Sequence, residues 1–156
     1  MRKFWGFLVL ISVLLPVPAN AITSLRQEPV GQLPKWEDFS RRQSRSLAAL
    51  YQCERDKENC ESKEMERWTG LVEDLSGQNK LRQIITVNRW FNRLPYKHDE
   101  YAYAELDYWA DTSELLAKRG DCEDFALSKY FTLRRLGFKA EELQVVMVYD
   151  NDTYTN

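Results

Sequence analysis

Apolar residues recur at helical spacing through most of the chain, and polar residues fill the intervals. From Trp36 to Cys53 the stripe is Phe39, Leu47, Leu50 and Tyr51, with Arg41, Arg42 and Arg45 on the wet face. A second helix is predicted from Cys60 to Leu75, carrying Met65, Trp68, Leu71, Val72 and Leu75. Ser76-Gly77-Gln78-Asn79 reads as a turn. The strongest pattern follows from Lys80 to Leu94, where Leu81, Ile84, Ile85, Val87, Trp90, Phe91 and Leu94 predict a buried face, and Pro95 ends it. These aromatics read as core. Asp111 to Glu114 has the spacing of a capping box, opening a short helix through Leu115 and Leu116 to Lys118.

Residues 95–112 read as an aromatic loop with Tyr96, Tyr101, Tyr103, Tyr108 and Trp109, and long ordered loops of this kind are often functional. After Gly137 the pattern changes. Leu143 to Tyr149 is rich in β-branched and apolar residues and predicts the one strand of the chain. A lone strand has no partner for its backbone. With only Asp150 to Asn156 after it, either a partner supplies the missing strands or this is a C-terminally truncated version of a longer protein; truncation is the favoured expectation, residues 22–156 forming one incomplete domain.

A hydrophobic fraction of 44% and a charged fraction of 29% over 156 residues place the chain among folded globular proteins with a core. A formal charge of −2 without a basic block argues against nucleic acid as a partner. Residues 1–21 read as a secretory signal peptide: Arg2 and Lys3, then an apolar stretch from Phe7 to Leu15, then Ala19-Asn20-Ala21 as a cleavage site. The apolar stretch is shorter than the roughly 20 residues a membrane span needs. Its removal takes away Arg2, Lys3 and no acid, which moves the formal charge from −2 to −4.

Export changes how the three cysteines read. Cys53 and Cys60, separated by six polar residues, fit a disulfide closing a small loop between two helices. Zinc lacks its ligands there, since no histidine or second cysteine pair is near. Cys122 is then the odd thiol, and odd thiols in exported proteins are either reactive or paired between chains. It lies in Gly120-Asp121-Cys122-Glu123-Asp124, followed by Phe125, Ala126, Tyr130 and Leu133 at helical spacing and by Gly137 as a C′ residue. Asp121 is expected to cap the helix, with Asp124 reaching back as the acidic half of a capping box. Cys122 thus falls at the first helical position, where unpaired N–H groups and the helix dipole favour a thiolate. Three adjacent carboxylates oppose it. An imidazolium or a hard cation would offset them; an unreactive half-buried helix cysteine is the competing reading.

Three segments together resemble the LapG-type periplasmic cysteine proteases, the bacterial transglutaminase-like cysteine proteinases. They are Val87-Asn88-Arg89-Trp90-Phe91-Asn92, Asp107-Tyr108-Trp109-Ala110, and the run from Gly120 through Ala126 with Lys129 to Arg134 and Leu136-Gly137. The resemblance spans about residues 34–156. It implies an α+β transglutaminase-like, papain-like cysteine protease fold, of which this chain holds the helical N-terminal part and the first sheet strand. It also implies a calcium-dependent endopeptidase that cuts the N-terminal region of large biofilm adhesins at a dialanine site. A LapD-type inner-membrane receptor sequesters such proteases when cyclic-di-GMP is high. By the same resemblance Cys122 is the nucleophile, Asp121 and Glu123 are the Ca2+ ligands, and Trp109 shapes a substrate or receptor surface.

The family takes its histidine and aspartate from the sheet that follows, and no histidine follows Cys122 here. His98, the one histidine, precedes it and matches no catalytic position. A thiolate without an imidazole lacks both its activator and the acid for the leaving amine. The chain is therefore expected to show little or no proteolysis by itself. Two further readings stand beside the protease: a catalytically dead protein that binds the receptor or the adhesin, and a transglutaminase-like acyltransferase or amidase.

Overall fold

A computed structural model describes residues 34–146. Six α-helices account for most of them: α1 Pro34–Arg55, α2 Lys63–Leu75, α3 Lys80–Phe91, α4 Asp99–Tyr103, α5 Thr112–Lys118 and α6 Cys122–Arg135. Their starts are written in side-chain chemistry. Ser62 caps α2 by accepting from the Met65 N–H at 3.0 Å, and Asn79 caps α3 through the Arg82 N–H at 2.9 Å. Asp111 and Glu114 form the capping box that opens α5. Gly137, at φ 95°, closes α6, its N–H and that of Phe138 bonding back to Arg134 and Leu133 carbonyls.

α1 packs across α2 and α5, and α6 packs against α3 and α5. The core between them holds Leu50, Met65, Trp68, Val87, Phe91, Leu115, Leu116 and Leu133, all buried. Two polar pairs are matched inside it: Trp68 Nε1 donates to Thr132 Oγ1 at 2.9 Å, and the Thr112 N–H donates to Gln43 Oε1 at 3.0 Å. Cys53 and Cys60 are joined by a disulfide around a 3-10 turn at Lys57–Asn59.

Several expectations change. α2 begins at Lys63 rather than Cys60, because Ser62 supplies the cap. The α3 stripe is narrower than its apolar pattern: Val87 and Phe91 are fully buried, whereas Leu81 is 66% and Ile85 48% exposed. Tyr51 of α1 is also half exposed, while Arg42 lies partly buried among Asp38, Glu114 and the Trp109 carbonyl. The aromatic loop contains a helix of its own, α4, with His98 at its N-cap.

The α+β reading is carried only in its helical part. Among the described residues there is no strand; the one β contact is a parallel bridge between Tyr96 and Gly120. Leu143 has extended backbone and its N–H turns back to the Ala140 carbonyl at 3.2 Å, and Leu143 to Val146 join no ladder among the described residues. The remainder of the expected strand, 147–149, and the signal segment, 1–21, lie outside the described residues. No helix among the described residues is long and apolar enough to cross a membrane.

Candidate active site

A tight turn delivers Cys122 to its place. After α5 the chain reverses at Arg119, which adopts φ 75°, a conformation that side chains rarely take. Three contacts hold it there: the Arg119 N–H donates to the Leu115 carbonyl at 3.0 Å, Tyr103 Oη donates to the Arg119 carbonyl at 2.8 Å, and Arg119 Nη2 reaches Glu64 at 3.2 Å. Gly120 follows, its carbonyl accepting from the Lys97 N–H at 2.9 Å. That bond ties the start of the aromatic loop to the start of α6.

Asp124 organises the α6 N-terminus. It is fully buried; Oδ1 accepts from the Ala110 N–H at 2.6 Å and Oδ2 from the Asp121 N–H at 3.1 Å. Burial pushes its pKa up to about 8, and these two N–H groups work against that rise. Asp121 holds the N-cap position of α6 as predicted, but its side chain makes no cap hydrogen bond. Its Oδ1 is buried without a hydrogen-bond partner, and only the returning half of the box, from Asp124, is made. The carboxylate is instead one of a crowd of acids. Burial first, and the adjoining Glu123 carboxylate second, raise Asp121 to about 9.

Cys122 is a free, half-buried thiol at the first position of α6. Its Sγ donates to Glu123 Oε2 at 3.1 Å. Burial pushes the thiol up to about 12, with Glu123 and then Asp121 adding to the effect. The helix terminus favours ionisation, but burial and the two carboxylates outweigh it, so the protein alone holds a neutral thiol at pH 7.

The acids come from two directions. Asp121, Cys122 and Glu123 form one set whose ligand atoms all lie within 4.8 Å of one another. Asp99 joins two others at the same spacing, one with Asp107 and Glu123 and one with Asp121 and Asp124. Asp99, the first residue of α4, is 2% exposed; one of its oxygens accepts from the Tyr108 N–H at 2.6 Å and the other is buried with no partner. Nothing in the sequence marked Asp99 as a site residue, and Asp107 stood out only as the start of the segment Asp107-Tyr108-Trp109-Ala110 that carries the resemblance. They lie 22 and 14 residues before Asp121 in a loop without periodicity, and only folding brings them to α6.

Trp109 is partly buried, its ring edge-on to Phe39 of α1 at 6.2 Å and its carbonyl accepting from Arg42 at 2.8 Å. These contacts anchor the loop end before Ala110. His98 is exposed, its ring edge-on to Tyr96 at 5.1 Å, and Tyr96 in turn stacks over Phe125 of α6. The hydrogen bond of the thiol goes to Glu123 and not to this imidazole. Cys53 and Cys60 lie in the disulfide and take no part in the site.

Comparison with known proteins finds one family. The model for the bacterial transglutaminase-like cysteine proteinases matches residues 40–155, which take in α1 through α6 except the first turn and a half of α1. No curated protein and no solved structure matches the chain.

Proposed function

Because the chain belongs to the bacterial transglutaminase-like cysteine proteinases, we propose that it is the nucleophile-bearing part of a calcium-dependent endopeptidase exported to the periplasm. Its substrate is the N-terminal region of a large biofilm adhesin, and a LapD-type receptor responsive to cyclic-di-GMP is its regulatory partner. Cys122 is the nucleophile, and Asp121 and Glu123 hold Ca2+. One observation supports this above the others: a free thiol opens α6 inside a set of acids whose member Asp121 has a buried oxygen without a partner. Nature rarely leaves such an oxygen unpaired, and oxygen-only ligands suit a hard cation.

When bound, the cation supplies positive charge beside the thiol, offsetting the acids that keep it protonated. The rest falls to the protein. Deprotonated Cys122 Sγ adds to the scissile carbonyl carbon; the C–N bond breaks, the amine departs with a proton, and water then cleaves the thioester. The proton for the amine needs a donor. No histidine follows Cys122 in this chain, and exposed His98 does not bond to the thiol. The lack of an imidazole bonded to the thiol favours, as second reading, a protein that binds the adhesin or the receptor without cleaving it.

Alkylation of Cys122 by iodoacetamide, followed against pH with Ca2+ and with chelator, tests the central claim. Ca2+ is expected to bring the onset of alkylation down in pH and to speed the reaction near pH 7.5 by at least about tenfold. Superimposable profiles would reject the calcium reading. Mixing the chain with an adhesin N-terminal fragment separates the two functions: a complex without cleavage is expected, and cleavage abolished by Cys122→Ala would show that this chain is complete in itself.

A further inference from the structure

α3 and α6 line a cavity of about 470 Å3. Ile84, Val87 and Leu133 give it an apolar wall, and Lys129, Arg89 and Arg93 bring positive charge to it. No acidic residue lines it, although acids outnumber bases in the chain as a whole. Lys129 is the deep group: it is 2% exposed, whereas both arginines are open to water. An ammonium has three N–H donors, and this one uses a single donor, on Asn92 Oδ1 at 2.6 Å. No carboxylate pairs with Lys129, Arg89 or Arg93 among the described ion pairs. Burial pushes the lysine down to about 8, with no acid beside it to hold it up. A charge kept away from water without a counter-ion destabilises the fold, and one amide oxygen offsets that only in part.

We propose that this cavity binds a small amphipathic carboxylate, its head paired with the Lys129 ammonium and its aliphatic body lying against Ile84, Val87 and Leu133. The volume is that of an ordinary small-molecule site, in which an apolar lining carries a few placed polar groups. The charge fits a monoanion. Lys129 is the one cation of the three withdrawn from water, so one negative charge is neutralised at depth. A phosphate dianion would bring a second charge against the apolar wall. Arg89 and Arg93, wet at the end of α3, draw anions toward the opening. A bound carboxylate thus supplies the counter-ion that the fold omits. The site stands apart from the thiol, since Lys129 lies nearly two turns beyond Cys122, about 10 Å along α6. The inference therefore holds whether or not the chain is a protease.

Calorimetric titration of the whole chain at pH 7 with octanoate, 1-octanol and inorganic phosphate tests this, with circular dichroism as the check on folding. Octanoate is expected to bind saturably at one site. Octanol lacks the charged head and phosphate the apolar body, so each should bind at least about tenfold more weakly. Lys129→Met keeps the apolar bulk and removes the charge; it should weaken octanoate at least about tenfold and leave octanol unchanged. Arg89→Gln combined with Arg93→Gln, both exposed, should weaken octanoate about threefold and flatten its salt dependence. Equal affinity of wild type for octanoate and octanol would overturn the inference, as would Lys129→Met binding octanoate as tightly as wild type. No saturable octanoate binding by wild type would overturn it too, and phosphate binding more tightly than octanoate would reject the amphipathic ligand. Should Lys129→Met lose its helical signal, the comparison of octanoate with octanol on the wild-type chain decides.

Discussion

Gly120 has no side chain because there is no room for one. A Cβ there would stand 2.0 Å from Asp124 Oδ2, an oxygen already held by the Asp121 N–H. Asp124 is short, buried and bonded on both oxygens, so it cannot swing aside without giving up one of its N–H partners. Gly120→Ala should cost at least about 2 kcal/mol of unfolding free energy in urea titration, with Cys122 becoming more exposed to alkylation. An unchanged midpoint would mean that the Asp124 bonds are dispensable. The sequence made this residue look like part of a turn before a helix. That the glycine is required by contact with Asp124, three positions after Asp121, could be read only with the carboxylate in place.

α6 shows how one helix serves two purposes. Its first turn holds the thiol and acids, while Phe125, Ala126 and Leu133 bury against α5 and the core as their spacing predicted. Lys129 departs from the pattern. It is 2% exposed, and Nζ donates to Asn92 Oδ1 at 2.6 Å at the end of α3. Burial lowers its pKa to about 8 from an ordinary 10.5. Below pH 8 the lysine is charged in the folded and unfolded chains alike, and the folded state bears the full desolvation cost. Between pH 8 and 10.5 the folded protein releases this proton first, so the unfolded chain binds more protons and stability rises with pH. Lys129→Met should remove that rise and raise stability at pH 7 by on the order of 2 kcal/mol, read from urea midpoints across pH 7 to 10.5. A variant that keeps the wild-type pH profile would refute the buried charge. For α3 the pattern misled in the other direction. Leu81 and Ile85 fit the helical stripe but remain exposed, since periodicity says which residues share a face and not whether a neighbour covers it.

Across the whole molecule, Arg42 fastens α1 to the region around the site. Its guanidinium reaches Asp38 at 2.8 Å, Glu114 at 2.6 Å and the Trp109 carbonyl at 2.8 Å, and it lies 4.5 Å from the Tyr108 ring centre. Glu114 in turn closes the α5 capping box and accepts from Tyr108 Oη at 2.7 Å. Arg42→Ala would strip a partly buried carboxylate and a backbone carbonyl of their donor together, and should cost about 2–3 kcal/mol, with faster amide exchange at Tyr108 to Ala110. Arg42→Lys should recover only part of this, because one ammonium cannot replace a planar fork with three partners. Equal stability of all three proteins in thermal unfolding would show that the network is ornamental.

Local order was legible in the chain by itself. Helix caps, glycine and proline stops, apolar spacing and the position of Cys122 at a helix start depend on residues within a few places of one another, and short-range chemistry survives whatever the rest of the chain does. The family, too, is read from the sequence, over residues 40–155. Only the tertiary structure decided that Asp99 meets Asp121, Glu123 and Asp107, that the Asp121 side chain joins these acids without bonding to the helix start, and that Arg42 is drawn in from the wet side of α1. Burial and long-range charge depend on which surfaces meet, and no spacing along the chain encodes that.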